Sequence, residues 1–399
     1  MASYSNRIVR SLTCSLLVIV AMILITSMAS ATTTGPYAYI TNSGDKTVSV
    51  IDTQSNTVIA TIPVGGIPGG VAVSPDGNKI YVTSYNITSS LANDNGKGIV
   101  SVIDGATNTV TATVSVGFYP TGVTVSPDGN KIYVTNSKDN DVSVVNTQTN
   151  AVIATIPVGL DPRGVAVNPD GNKIYVINNN YNGSDPGYHG NGTVSVIDAA
   201  TNKVIATLTV GSLPKGIAVT RDGSKIFVTN FKDNSVSVID AATNSEIARV
   251  PAGNGPYGVA VNPAGTKIYV ANFNDRNVSV IDAATNKVIA TILVGAQPEG
   301  VSVTPDGNKI YVVNNYPYNG NTVSAIDAST NTVIATVNVG DKPIAMGQFI
   351  VPAPKTAAAS SMPSSASSGS TAAPFVGVEG IGAIFLGAAF CMLARRNRN

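Results

Sequence analysis

The chain has 399 residues, a formal net charge of +1 and only 12 % charged residues. That balance offers no basic stripe to neutralise phosphates and excludes nucleic acid as a partner. Cys14 and Cys391 stand near the two ends and His189 is the single histidine, so no disulfide framework, histidine triad or histidine-based metal site can be assembled.

The N-terminus opens with Arg7 and Arg10, an apolar run over residues 12–28 and then Ala29-Ser30-Ala31. A basic start, an apolar core and a small-residue site read as a secretory signal over residues 1–31, with an uncleaved anchor as the alternative.

From Tyr37 onward one short string keeps returning. Its aromatic residue falls at Tyr39, Tyr81, Tyr133, Tyr175, Phe227, Tyr269 and Tyr311, in steps of 42, 52, 42, 52, 42 and 42 residues. Within one period, residues 122–159, four β-branched runs are predicted as strands: 122–125, 131–135, 142–145 and 152–158. Ser126-Pro127-Asp128-Gly129 supplies a proline-set angle and a left-handed glycine, the chemistry of a tight hairpin. In the second run Ile132 and Val134 face one way and Tyr133 the other, so both sheet faces are expected to be buried. Four strands per period of about 40 residues define a β-propeller.

The first repeat enters with a second-type strand, and the last ends with Lys342-Pro343-Ile344-Ala345-Met346-Gly347, a first-type strand without a successor. Joining the two orphans predicts seven complete blades over residues 32–350: an all-β, seven-bladed propeller closed by its own ends. The Tyr133-Val134-Thr135-Asn136 string and its companions resemble the YVTN-repeat β-propellers found in surface-layer-type proteins of methanogenic archaea and in bacterial relatives. The resemblance implies an envelope protein.

Residues repeated in six of the seven blades are expected to be structural. Asn42, Asn136, Asn178, Asn230, Asn272 and Asn314 end second strands, and Asp52, Asp104, Asp198, Asp240, Asp282 and Asp327 end third strands. Side-chain bonds to turn backbone are expected of both sets.

A position that varies on a fixed frame is a better site candidate. The residue after the proline that introduces each first strand is Gly69, Thr121, Arg163, Lys215, Tyr257, Glu299 and Ile344. In a propeller these ring one channel mouth, where Arg163, Lys215, Tyr257 and Glu299 form an arc able to bind an anionic or saccharide group; plain loop variation is the alternative. Two loops on that face are ten residues longer than the others, 84–98 and 178–192, and Tyr85, Tyr181, Tyr188, Phe231 and Phe273 form a candidate contact surface. Sequons stand at Asn86, Asn182, Asn191 and Asn277. Asn93, Asp94 and Asn95 are too few for a calcium loop. No catalytic residue, metal or cofactor is expected.

Beyond the repeats, residues 351–374 are rich in Pro, Ala, Ser and Thr and read as a stalk. Residues 375–394 form an apolar stretch long enough to span a bilayer, and Arg395, Arg396 and Arg398 hold a 395–399 tail in the cytoplasm. This end resembles the sorting signals of archaeal envelope proteins, with Ala373-Pro374-Phe375 lacking the glycine of their Pro-Gly-Phe motif. The expectation is a membrane-anchored recognition, adhesion or structural protein of the cell surface whose partner is an envelope polymer, glycan or surface protein. A lactonase-type enzyme acting at the channel mouth is the alternative.

Overall fold

The computed structural model describes residues 36–86, 97–180, 190–315 and 321–351. They form seven four-stranded antiparallel sheets, one per blade. Blade 3 is representative. Its strands run from the axis outward as Pro120–Val125, Lys131–Asn136, Asp141–Asn146 and Ala151–Pro157, each paired with the next. The expected double burial holds. Ile132 and Val134 pack with Tyr81 and Val100 of blade 2, whereas Tyr133 packs with Ile174 and Val176 of blade 4. Each blade is thus wedged between its neighbours through the two faces of its second strand.

The turns behave as their chemistry demands. Gly129 takes φ 74 and donates its N–H to the Ser126 carbonyl at 2.8 Å, while Asp128 accepts from the Asn130 N–H at 3.0 Å. At the ends of third strands, Asp104 accepts from the Ala106 and Thr107 amides and from the Thr107 hydroxyl. Those bonds hold its carboxyl below the ordinary range, and the same device brings Asp327 to about 2. The outer strand carries a bulge at Ile153, the residue left over between the Val144–Ala154 and Val145–Val152 pairs, and Ile153 is exposed on the circumference.

The repeated asparagines depart from expectation. Their Nδ2 groups do not bond turn backbone but reach across to side chains of the third strand, although the Asn230 oxygen also accepts the Gly211 N–H at 3.0 Å. Asn136 Nδ2 donates to Asp141 Oδ1 at 2.6 Å and to Ser143 Oγ at 2.8 Å, and Asn272 does the same with Asn277 and Ser279. The cause is register: the strand-end asparagine lies opposite the first residue of the next strand, and the serine two residues on shares its sheet face.

A further device was not anticipated. The lysine that opens six of the second strands reaches the following blade and caps a turn carbonyl there. Lys79 donates to Thr147 at 3.0 Å, Lys173 to Ala241 at 2.9 Å and Lys225 to Ala283 at 2.7 Å; Lys131, Lys267 and Lys309 do likewise. Lys309 clasps Thr53, so this ring of bonds crosses the junction between the last blade and the first.

Closure uses the two chain ends, with one refinement. The closing segment pairs Pro343 with Asn42, then Ile350 with Ala38 and Val351 with Tyr37. In blade 3 the corresponding span runs only from Pro120 to Val125, so the closing segment carries two extra residues. Positive φ at Ala345 (43°) and Gly347 (111°) absorbs them, and the strand proper is Ile350–Val351 rather than residues 342–347.

Candidate functional site

The ends of the second strands and the starts of the first strands share one face. There a repeated relay builds the rim of the channel. Thr135 Oγ1 accepts the Gly122 N–H of its own blade at 2.8 Å and donates to the Arg163 carbonyl of the next at 2.6 Å. Thr229 does the same between Gly216 and the Tyr257 carbonyl, at 2.8 and 2.6 Å. The relay spans the blades through backbone groups, and Thr135 adds one side-chain contact, to the Thr121 hydroxyl at 3.0 Å; the bonds between blades therefore do not depend on which side chain stands at the varying position.

Close approach at this rim requires glycine. A Cβ at Gly258 would stand 2.1 Å from the Glu299 carbonyl oxygen, a backbone atom, whereas one at Gly69 would find its nearest neighbour at 3.8 Å. Gly258→Ala is therefore expected to cost about 3 kcal/mol by overpacking, and Gly69→Ala less than about 0.5 kcal/mol. Urea denaturation of the two variants side by side checks this.

Arg163, Lys215, Tyr257 and Glu299 open the inner strands of four consecutive blades, Pro162–Val167, Pro214–Val219, Pro256–Val261 and Pro298–Val303. Arg163 is engaged: Nε lies 2.9 Å from Asp161 Oδ1 and Nη2 donates to Oδ2 at 3.1 Å. Asn179 Nδ2 donates to the same Oδ2 at 3.1 Å. The Lys215 ammonium has no such partner among the described residues. It lies 5.9 Å from the centre of the Phe231 ring and 5.7 Å from that of Tyr257. Burial, and then the charge of Arg163, bring its pKa down to about 8. Glu299 is only 8 % exposed and accepts from Asn315 Nδ2 at 3.0 Å; burial pushes its carboxyl up to about 7. Burial, with Glu299 nearby, likewise raises the Tyr257 phenol.

Of the loop aromatics, Phe231 and Phe273 join this cluster. Tyr257 stacks on Phe273 at 5.9 Å between ring centres, and Phe231 meets both edge-on at 6.1 Å. Tyr85 stands apart from them, tilted against Tyr119 at 4.9 Å, with Lys138 Nζ 5.7 Å from the Tyr119 ring centre. Tyr181, Tyr188, His189 and Asn182 lie outside the described residues, as do most of the two long loops, the calcium-like fragment, the signal, the stalk and the 375–394 stretch. Among the described residues no helix is long and apolar enough to cross a membrane. Asn86 and Asn191 are exposed, whereas Asn277 opens the strand Asn277–Asp282 half-buried, with its oxygen bonded to Asn272.

Two members of the site escaped the sequence reading. Asp161 and Asn315 flank the candidate arc, and both follow from rules the repeat already carries. Asp161 occupies the position before proline, where Tyr119, Leu213, Gln297 and Lys342 also take positive φ near 50°. Its carbonyl accepts from the residue after the second strand, Asn179, as the Leu213 carbonyl accepts from Phe231. This bond places the pre-proline and post-strand residues side by side on the rim.

Below the rim the inner strands enclose an axial channel of about 260 Å³. Lys215, Tyr257 and Glu299 line it at the rim, and its walls are mostly Val, Ala and Gly, with Thr124, Ser302 and Gln348 the other polar side chains.

Fold and site together define a seven-bladed repeat propeller with a charged, aromatic mouth on one face of its channel. Known proteins agree with that class. Residues 194–307 match the YNCE-like beta-propeller family. The chain is 31 % identical over 108 residues to Antigen Lp49 of Leptospira interrogans, covering 26 % of this chain and 24 % of the antigen. It is 34 % identical over 108 residues to the protein YncE of Salmonella typhimurium, covering 27 % of each. The chain thus matches about a quarter of the length of these curated relatives. Hydrazine synthase of Kuenenia stuttgartiensis superimposes with a TM-score of 0.63 at 25 % identity, over 72 % of this chain and 91 % of that one.

Proposed function

We propose that the protein is an exported propeller of the cell envelope, tethered by its C-terminal stretch, that recognises an envelope polymer, glycan or surface protein at the mouth of its channel. The observation that carries this reading is the contrast between frame and filling. The rim is held by backbone bonds at Thr135 and Thr229, while the position they support differs in every blade. Four of those differing residues gather a carboxylate, a phenol and two cations beside an aromatic cluster. Charge-assisted bonding and stacking in one concave place suit a ligand with polar and apolar parts. The signal-like N-terminus and the stalk, apolar stretch and basic tail support location outside the membrane.

The test is co-sedimentation of the full-length protein with envelope preparations of its source cells, beside a variant in which Arg163, Lys215, Tyr257 and Glu299 are all alanine. Binding that the variant loses supports recognition at the mouth. Binding retained in full by the variant overturns it.

A lactonase-type hydrolase is the second reading. It draws on Glu299, whose carboxyl near 7 suits a general base. Turnover of a simple lactone, abolished by Glu299→Gln, would select that reading over the first.

A further inference from the structure

The mouth and the channel beneath it differ in chemistry, and together they narrow the ligand. Arg163 is neutralised by Asp161 through two contacts. Lys215 has no direct pair: no hydrogen bond or carboxylate within ion-pair distance reaches its ammonium among the described residues, Asp161 and Glu299 act on it only from farther off, and the Phe231 and Tyr257 rings stand beside it. On this half-buried side chain, with only ring faces beside it, the three N–H groups of the ammonium have no acceptor from the described residues. The other side chains at this position, Gly69, Thr121 and Ile344, bring no charge from the remaining blades. Glu299, on the neighbouring inner strand but one, is buried and already bonded to Asn315.

We propose that the mouth binds an organic monocarboxylate, with its carboxylate on the Lys215 ammonium and an apolar body lying in the axial channel. One unpaired cation matches one negative charge; a phosphate dianion would leave a charge without a partner. An amine is repelled by the Lys215 ammonium. A sugar body would find few side-chain donors or acceptors on walls of valine, alanine and glycine. The Phe231 and Tyr257 rings beside the ammonium offer apolar surface next to the bound carboxylate, which lowers the local dielectric and strengthens its bond to Lys215. The proposal rests on reading the mouth as a binding face, and it concerns the chemistry of the ligand rather than its location in the cell.

The probes are hexanoate, hexan-1-ol and hexylamine, titrated by calorimetry into the full-length protein at pH 6.5. Hexanoate is expected to bind at least tenfold more tightly than either of the others. Lys215→Met should erase that preference, while Lys232→Met, on an exposed loop, should keep it. Thr124→Phe, at a half-buried wall position, narrows the channel below the rim; it should weaken hexanoate and leave acetate unchanged. Failure of hexanoate to bind, equal or tighter binding of hexylamine, or an unaltered preference in Lys215→Met overturns the proposal. Envelope co-sedimentation unaffected by excess hexanoate would leave surface recognition standing by itself, so the two readings can fail separately.

Discussion

Phe349→Ala is expected to lower the stability of the propeller by about 3–5 kcal/mol, the usual cost of deleting a fully buried phenylalanine. Phe349 has no exposed surface and packs in one cluster with Tyr37, Tyr39, Ile350 and Tyr311, which brings together the first blade, the closing strand and the last blade. Its carbonyl also accepts the Tyr39 N–H at 2.8 Å. The damage should therefore be local before it is global. The Tyr39 amide is expected to exchange with solvent faster in the variant, while amides of blade 3 exchange only as fast as the whole molecule opens. Ile334→Ala, on an exposed outer strand, serves as control and should cost less than about 0.5 kcal/mol. Urea denaturation with site-resolved hydrogen exchange checks both. A Phe349 variant as stable as the control would mean that the ring does not depend on its last strand for closure.

That closure was legible in the sequence because it is a matter of counting. A second-type strand with nothing before it and a first-type strand with nothing after it must meet. The two-residue excess between Pro343 and Ile350 was not legible: a bulge is resolved by φ at Ala345 and Gly347, which no hydrophobic pattern encodes. The same division runs through the blades. Alternation at Ile132, Tyr133 and Val134 announced burial on both faces, since burial follows period. The lysine that opens six of the second strands carries no such pattern, because its function lies in a carbonyl roughly one blade further on.

At the mouth, position was readable and partnership was not. Arg163, Lys215, Tyr257 and Glu299 share one place in the repeat, so topology alone set them on consecutive blades. Nothing in their spacing indicated that Asp161 would neutralise Arg163 and leave Lys215 unpaired. That outcome depends on the left-handed residue before proline, which turns Asp161 onto the rim beside Asn179. Two adjacent cations of like sequence context thus acquire different work. One is fixed in a structural pair; the other remains available to a ligand.

The pH dependence of stability should reveal the cost of keeping the mouth in this state. Glu299 titrates near 7 in the fold against 4.5 for an ordinary carboxyl. Between those values the folded protein keeps a proton that the unfolded chain has lost. The stability this confers is therefore full below about pH 4.5 and lost as pH rises through 7, by about 3 kcal/mol. Lys215 runs the other way: its pKa falls from 10.5 to about 8, so the folded protein binds fewer protons than the unfolded chain between these values. Its contribution is present above pH 10.5 and lost as pH falls through 8. The wild-type curve should then pass through a minimum between pH 7 and 8, where a buried carboxylate and the half-buried Lys215 are both charged without a direct contact. Glu299→Gln keeps an oxygen for Asn315 and has no proton to lose, so its falling limb should vanish and its stability at pH 7.5 exceed that of wild type. Lys215→Met should abolish the rising limb alone. Chemical denaturation at half-unit steps from pH 5 to 10 measures both. Parallel curves for wild type and Glu299→Gln would show that the carboxyl is solvated in the fold, and the mouth would lose its claim to be a desolvated binding site. Divergent curves would mean that the protein gives up stability at this one place, and a carboxylate ligand on Lys215 should restore part of it by supplying the counter-charge that the chain withholds.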